Sequence, residues 1–138
     1  MEKKSYLIPF QSIGESSIGY ISVAESAQNI PFEIKRVYWT YFTPENIVRG
    51  RHAHRQTEQI LIAVAGRITV TVEAADDPIP QVFVLDHPNM GLYIPPSVWH
   101  TMQYSHSAVQ LVLASKEYDA TDYLRNYEEF KQIWSLKN

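Results

Sequence analysis

Two histidines stand one residue apart in the stretch Arg49-Gly50-Arg51-His52-Ala53-His54. Side chains on a β-strand alternate between its two faces, so both imidazoles are predicted to point to the same side of a sheet. Glu58 follows four residues later and can reach the same pocket if the chain bends. Another histidine ends the segment Gly91-Leu92-Tyr93-Ile94-Pro95-Pro96-Ser97-Val98-Trp99-His100, behind a Pro-Pro turn. Paired imidazoles in a cavity suit either metal binding or proton transfer.

The composition describes an ordinary globular chain and excludes several classes of function. With 138 residues, 45% of them hydrophobic and 20% charged, the chain is predicted to form one domain over residues 1–138. The net charge of −3 argues against nucleic acid as a partner, because such proteins carry basic surfaces. The absence of cysteine excludes disulfides and thiolate metal sites.

Nothing in the sequence predicts secretion or membrane insertion. The apolar run after the N-terminus, Tyr6 to Phe10, is too short for a signal peptide, and no apolar run approaches 18 residues. We therefore expect a cytoplasmic protein.

The dominant period along the chain is two. Ile68-Thr69-Val70-Thr71-Val72 alternates apolar and polar residues, which indicates a strand with one face on a core. Three short continuous runs rich in β-branched residues, at 60–65, 82–85 and 109–114, predict strands that are buried on both faces. A longer strand is predicted over 34–42. Short strands separated by Gly and Pro favour an all-β sandwich or barrel of the jelly-roll type.

One helix is predicted at the end of the chain. Aromatic residues recur there at spacings of 4, 3 and 4, namely Tyr123, Tyr127, Phe130 and Trp134. This stripe predicts an amphipathic helix over about 121–135, capped by Asp119 or Thr121, with its apolar face on the outside of the barrel.

The histidine pair and the Pro-Pro turn resemble the two signature motifs of the cupin superfamily. Metal-binding cupins carry the pattern H-x-H-x3-E and a later histidine. The corresponding ligands here are His52, His54, Glu58 and His100, a set suited to iron, manganese or zinc.

A closer resemblance is to the dTDP-4-keto-6-deoxyhexose 3,4-ketoisomerases, small sugar-nucleotide cupins with an RmlC-like jelly roll. It covers about residues 29–127 and includes the two motifs above. Two further strings are specific to the family: Asn29-Ile30-Pro31-Phe32-Glu33-Ile34-Lys35-Arg36-Val37-Tyr38, and Tyr118-Asp119-Ala120-Thr121-Asp122-Tyr123. The resemblance implies a jelly-roll barrel with one C-terminal helix.

The resemblance also implies an activity and an assembly. Such an enzyme moves the keto group of dTDP-4-keto-6-deoxy-D-glucose from C4 to C3, on the route to dTDP-linked 3-amino-3,6-dideoxy sugars for surface polysaccharide such as lipopolysaccharide. It is expected to work without metal or another cofactor. A homodimer is implied, with the N-terminal strands, about residues 1–28, exchanged between subunits. An unpaired apolar strand from Tyr6 to Phe10 would also be an aggregation hazard, which such pairing removes.

The histidine pair can perform this chemistry. The reaction needs removal of the C3 proton, acidified by the neighbouring ketone, and delivery of a proton to C4 through an enediol. One imidazole can move the carbon proton while the second moves a proton between the oxygens. On a strand His52 and His54 lie about 7 Å apart, which spans neighbouring sugar atoms. We assign His54 to the carbon and His52 to the oxygens, with Tyr38 stabilising the enediolate.

The remaining candidates are assigned to substrate binding. Arginines near the motifs can bind a pyrophosphate in a bidentate manner, and aromatic side chains can stack on thymine or sugar. The predicted substrate-binding residues are Arg36, Arg49, Arg51, Gln59, Tyr93, Trp99 and His100. Relatives commonly carry an aromatic residue at the position of Arg51. They often carry Arg or Tyr, near the sugar, at the position of Ile18, so the configuration at C4 does not follow from the resemblance.

Two alternatives to this isomerase stay open at this point. One is a metal-dependent cupin, a dioxygenase or an isomerase, using the four ligands above. Another is a non-catalytic sugar-binding cupin. The dTDP-sugar 3,5-epimerases are cupins too, but they use a His–Asp pair and a tyrosine acid, and no Asp lies beside the motif here. His87 and His106 are predicted to be surface residues.

Overall fold

The computed structural model describes residues 3–77 and 79–137, with only the backbone described for 134–137. This part of the chain forms twelve strands, a 3-10 turn and one α-helix. The strands are β1 (Tyr6–Pro9), β2 (Ile13–Glu15), β3 (Gly19–Ile21), β4 (Arg36–Thr40), β5 (Val48–His54), β6 (Gln59–Ala65), β7 (Ile68–Ala74), β8 (Gln81–Leu85), β9 (Met90–Ile94), β10 (Val98–Tyr104), β11 (Val109–Ala114) and β12 (Tyr123–Leu124). The 3-10 turn spans Ala120–Asp122, and helix α1 spans Tyr127–Lys137.

Two five-stranded antiparallel sheets form the body of the fold. Their strand orders are β1-β9-β6-β11-β4 and β12-β5-β10-β7-β8, and β2 pairs with β3 in a separate hairpin. Both five-stranded sheets contribute to one apolar core, with Leu61, Leu92 and Val112 from the first sheet and Ile68 and Val70 from the second. The sequence prediction of an all-β fold with one C-terminal helix is confirmed.

The sequence patterns predicted the inner face of β7 correctly and misjudged the burial of β8. Ile68, Val70 and Val72 are buried, while the threonines between them are half-buried. Strand β8 lies at the edge of its sheet, and Val82 and Val84 are exposed. The prediction that 82–85 is buried on both faces is therefore wrong, because a continuous apolar run does not distinguish a central strand from an edge strand.

The N-terminal strand has a partner within its own chain. Strand β1 pairs with β9, with Tyr6 opposite Tyr93. Phe10, Ile30 and Phe32 then cover Tyr93 and the outward-facing residues of β6, forming a second apolar cluster. The expectation that β1 lacks a partner is therefore wrong, although β1 remains an edge strand of its sheet.

The C-terminal segment differs from the predicted helix over 121–135. The Asp119 side chain accepts a hydrogen bond from the Thr121 amide and caps the 3-10 turn, not α1. Tyr123 then pairs with His54 as part of β12, so it does not belong to the helical stripe. Helix α1 begins only at Tyr127 and packs Phe130 against the outside of the barrel. The side chain of Trp134 lies outside the described residues. Among the described helices, none is long and apolar enough to cross a membrane.

Candidate active site

A cavity of about 400 Å³ opens between the two sheets at one side of the sandwich. Edge strand β4 of one sheet and β5 of the other contribute half of its lining residues, and the segment around β12 closes one side. The lining residues are Arg36, Tyr38, Thr40, Arg49, Gly50, His52, Met102, Tyr104, Gln110, Tyr118, Tyr123 and Arg125. A pocket of this size is typical of small-molecule sites.

A β-bulge shapes the wall of the cavity on β5. His52 lies opposite His100 on β10, but the next pair joins Gly50 to Thr101, so Arg51 has no partner. Gly50 and Arg51 both adopt positive φ, +86° and +57°. Three steps along a regular strand would place Arg49 and His52 on opposite faces, but the extra residue in the bulge brings them to the same face. Arg49 and His52 consequently face the same cavity.

Three histidine rings converge beside this cavity. The ring centroid of His52 lies 5.0 Å from that of His54 and 4.6 Å from that of His100. Of the three, only His52 lines the cavity, whereas His54 and His100 are almost completely buried. Burial lowers the pKa of His52, a shift that the Gly50 backbone partly opposes, and it lowers the pKa of His100 further. The rings are therefore neutral near pH 7 and able to accept protons.

His54 is bound by a carboxylate that is distant in sequence. Its Nδ1 lies 3.2 Å from Oδ2 of Asp122, a residue only 8% exposed. Burial lowers the pKa of His54 to about 4, assisted by His52 and opposed by Asp122. The contact is thus a hydrogen bond from a neutral imidazole. The expectation that no Asp meets the motif is wrong, because Asp122 reaches it from the turn before β12.

Tyr38 presents a neutral phenol to the cavity. Gln59 Nε2 donates a hydrogen bond of 2.9 Å to its hydroxyl oxygen, so the phenolic proton can be donated to a ligand. Burial, together with the nearby Tyr123, raises the pKa of Tyr38 to about 12. Gln59, predicted to bind substrate, is itself buried and contacts Tyr38 instead of lining the cavity.

The charge of the cavity wall is positive. Three guanidinium groups line it, from Arg36, Arg49 and Arg125, and the described lining includes no carboxylate. The Arg36 guanidinium also lies 5.3 Å from the centre of the Tyr38 ring, and that of Arg125 lies 4.5 Å from the Tyr123 ring. This arrangement favours a ligand that carries negative charge beside a planar or apolar group.

Several residues predicted to bind substrate or metal lie elsewhere. Tyr93 and Trp99 alternate with inward-facing neighbours on their strands, so Tyr93 joins the outer cluster and Trp99 packs beneath α1. Arg51 is exposed at the bulge and does not line the cavity. Glu58 precedes the inward-facing Gln59, and its Oε1 accepts a hydrogen bond of 2.6 Å from the Tyr93 hydroxyl on the outer side.

The position of Glu58 bears on the metal hypothesis. Ligand atoms of His52, His54 and His100 lie within 4.8 Å of one another and could hold an ion. Glu58 does not join them, since it faces the other side of its sheet. The three-histidine, one-carboxylate set predicted for a metal cupin therefore does not assemble.

The sequence interpretation missed the contribution of the segment 118–125. Tyr118, Tyr123 and Arg125 line the cavity, and Asp122 supports His54. The string Tyr118-Asp119-Ala120-Thr121-Asp122-Tyr123 was an available signal, because it carries the family resemblance, but the sequence analysis gave its residues a place only in and before the helix and none in the site. His87 and His106 are exposed, as predicted.

Comparisons with known proteins agree with this site. The family model described as FdtA: WxcM-like, C-terminal, matches residues 3–135. A TDP-4-oxo-6-deoxy-alpha-D-glucose-3,4-oxoisomerase from Aneurinibacillus thermoaerophilus is 43% identical over 133 residues, which are 96% of this chain and 92% of that protein. The chain is therefore similar to an isomerase over 96% of its length.

Two solved structures show the same similarity. QdtA, a sugar 3,4-ketoisomerase from Thermoanaerobacterium thermosaccharolyticum solved in complex with TDP, is 36% identical with a TM-score of 0.91, covering 99% of this chain and 98% of its own. A 3,4-ketoisomerase from Helicobacter canadensis is 33% identical with a TM-score of 0.90, covering 97% and 99%. The chain belongs to the FdtA, WxcM-like family of TDP-sugar 3,4-ketoisomerases, which has the cupin jelly-roll fold.

Proposed function

We propose that this protein moves the keto group of dTDP-4-keto-6-deoxy-D-glucose from C4 to C3. The observation that carries the proposal is a cavity in which His52, a neutral phenol and three arginines face one space without an acidic residue in the described lining. The relative QdtA has been solved with TDP, and a histidine-to-asparagine variant of it with TDP-4-keto-6-deoxyglucose. These complexes support the same class of substrate here.

The reaction is an internal redox exchange that needs only proton transfers. A base takes the proton from C3, and the electron pair of the C–H bond forms a C3–C4 double bond while the C4 ketone becomes an enediolate oxygen. The C4 oxygen gains a proton, the C3 hydroxyl loses one, and a proton returned to C4 leaves the ketone at C3. A neutral imidazole can serve at each transfer.

We infer that His52 meets the carbon. It lines the cavity, whereas His54 lies behind it with 2% of its surface exposed. This reverses the assignment made from the sequence, which gave the carbon to His54 and the oxygens to His52. His54, whose ring lies beside that of His52, is now assigned to the proton transfer between the oxygens. Tyr38 remains a donor at neutral pH and can stabilise the negative oxygen of the enediolate.

The nucleotide is expected at the cationic wall. Arg36, Arg49 and Arg125 can form bidentate hydrogen bonds to the two phosphates. Tyr118 and Tyr123 offer ring surface for the base or the sugar, and their rings lie 5.8 Å apart. The product is a 3-keto sugar, the form that an aminotransferase needs to make a 3-amino-3,6-dideoxy sugar. We propose this role in cytoplasmic synthesis of lipopolysaccharide or another surface polysaccharide.

We also propose a homodimer in which the exchange within the N-terminal segment, about residues 1–28, is made by the β2–β3 hairpin, because β1 pairs with β9 of its own chain. Apolar side chains of the β2–β3 hairpin are exposed, with Ile18 at 79%, Tyr20 at 61% and Ile21 at 64%. On β4, Trp39 is also largely exposed. Exposed apolar side chains grouped on one hairpin often mark a protein interface, and a second copy would cover them. Ile18 would then lie at the interface.

Incubation of the purified protein with dTDP-4-keto-6-deoxyglucose tests the activity. NMR should show loss of the 4-keto form, a new carbonyl at C3 and, in D₂O, deuterium at C4. The coupling constants of the new C4 proton, measured in H₂O, give the configuration at that carbon. Recovery of unchanged substrate without exchange at C3, from folded protein, would refute the proposal.

A further inference from the structure

Asp122 is a buried carboxylate whose three neighbours all donate to it. The backbone amide of Gln56 donates to Oδ1 over 2.7 Å. Oδ2 accepts a hydrogen bond from the Thr57 hydroxyl and lies 3.2 Å from Nδ1 of His54. The chain around Asp122 is itself fixed, because the Asp122 carbonyl accepts from the Arg55 amide and β12 pairs with β5. The carboxylate is thus held in one orientation against His54.

This geometry determines which nitrogen of His54 carries the proton. A carboxylate offers only acceptors, so the neutral imidazole must hold its hydrogen on Nδ1. The lone pair then resides on Nε2, a buried atom that has no hydrogen-bond partner within the described residues. The His54 ring lies edge-on to the His52 ring, at 86°. Nε2 is therefore a proton acceptor kept free beside the histidine that lines the cavity.

We propose that Asp122 is a positioning residue of the isomerase, which acts through His54 by fixing its Nδ1–H tautomer and stabilising the imidazolium formed when Nε2 accepts a proton. The inference rests on the proposed function for its catalytic consequence, but the tautomer itself can be measured without substrate. It extends the machinery to a residue 68 positions from His54 in sequence.

The substitution Asp122→Asn inverts the hydrogen bond while keeping the size of the side chain. The amide oxygen can retain the bond from the Gln56 amide, which places the NH₂ group beside His54 and Thr57. The Thr57 hydroxyl can rotate and accept, but His54 Nδ1 must then accept as well. The proton is therefore driven to Nε2, and the free acceptor disappears.

The tautomer is read by ¹⁵N NMR of histidine-labelled protein, with His54→Gln identifying the signals. Wild-type His54 should show a protonated Nδ1 and a bare Nε2 near pH 7.5, and Asp122→Asn should show the reverse. Wild-type protein with its proton on Nε2 would overturn the proposal whether or not any variant folds. The neighbouring Asp119→Asn, which keeps its capping acceptor for the Thr121 amide, is the matched control and should leave the His54 signals unchanged.

Kinetics then separate positioning from a merely structural role. Asp122→Asn should lower kcat by about 10²–10³-fold with KM changed less than about threefold, because the nucleotide contacts lie elsewhere. Thr57→Val removes another donor to the same carboxylate without altering the tautomer and should cost less than about tenfold. A folded Asp122→Asn protein with an inverted tautomer and full kcat would overturn the catalytic role. Inactive wild-type protein with the expected tautomer would instead refute the proposed function.

Discussion

Arg49 and His52 face the same cavity although three steps of an alternating strand should place them on opposite faces. The bulge at Gly50 and Arg51 absorbs one residue, so that a cation and a proton acceptor share one wall. A Cβ on Gly50 would lie 2.9 Å from the backbone oxygen of His100, and its φ of +86° is unfavourable for other residues. The glycine therefore permits a juxtaposition that the proposed reaction requires.

The two arginines around this bulge should differ in function. Arg49→Ala removes a cation from the cavity wall, and we expect KM for the sugar nucleotide to rise about 10–100-fold, consistent with loss of a charge-assisted hydrogen bond. Arg51→Asn changes an exposed side chain at positive φ, a conformation that Asn tolerates well, so we expect no comparable rise in KM. Steady-state kinetics on both variants measures the difference.

Equal effects of the two substitutions on KM would contradict this placement. Isothermal titration with TDP separates nucleotide binding from chemistry, because the nucleotide lacks the reacting sugar. Arg49→Ala should weaken TDP binding, whereas Arg51→Asn should leave it within about twofold of wild type.

Strand alternation accounts for most of what could be predicted from the sequence. It placed His52 and His54 on one face of β5. It also placed the core residues Ile68, Val70 and Val72 on one face of β7. It could also have excluded Trp99, since His100 next to it faces inward. The alternation of side chains between two faces depends only on the local sequence, so it can be predicted without knowing which strands pair.

The features that were missed depend on distant pairing. Tyr123 fits a helical spacing with Tyr127, yet it pairs with His54 because β12 extends the sheet beyond β5. No local sequence pattern predicts the pairing of Tyr123 with His54, or the contact between Asp122 and His54. The prediction that Glu58 joins the histidines was wrong for a related reason. Strand β6 begins at Gln59, so the chain does not make the bend that would bring Glu58 to the histidines.

The two motif histidines should both be needed for turnover. His52→Asn and His54→Asn should each lower kcat by about 10²–10⁴-fold while TDP binding is preserved, because each removes a proton acceptor and not a nucleotide contact. Exchange of C3 deuterium with solvent should be lost in His52→Asn and retained at a measurable rate in His54→Asn. The opposite pattern would reassign the carbon proton to His54, and full activity in both variants would refute a catalytic role for the pair.

The buried histidines should make stability fall at mildly acidic pH. The pKa of His54 is about 4 in the folded chain and near 6.5 when unfolded, so between these values the unfolded state binds a proton that the folded state does not. This part of the stability is complete above pH 6.5 and is lost as the pH falls toward 4. His52 and His100 shift in the same direction.

Urea unfolding at pH 7.5 and 5.5 measures the effect. The free energy of unfolding should fall by on the order of 1 kcal/mol from His54 alone. His54→Gln should reduce the slope of stability against pH, and His106→Gln, which removes a histidine from an exposed position, is the control. A wild-type stability that rises between pH 7.5 and 5.5 would contradict the burial of neutral imidazoles.

Chelation should leave the isomerase active. Because Glu58 is engaged by Tyr93 on the other side of its sheet, the three-histidine, one-carboxylate set is incomplete, and we expect His52 and His54 to transfer protons without a bound metal. Dialysis against EDTA followed by elemental analysis should give metal-free protein with kcat within about twofold of the starting value. Loss of activity that is restored by one added divalent metal would instead support a metal-dependent isomerase.

The protein should be a dimer whose stability depends on the N-terminal hairpin. Light scattering at micromolar concentration should give twice the mass of one chain. Ile21→Glu places a charge on the exposed hairpin and should shift the mass toward the monomer, since burying an unpaired carboxylate at an interface is unfavourable. Ile79→Glu alters an equally exposed apolar residue outside the exchanged segment and should leave the dimer intact. A monomeric wild-type mass would rule out the proposed assembly. Equal effects of both substitutions on the mass would contradict a specific role of the hairpin in the interface.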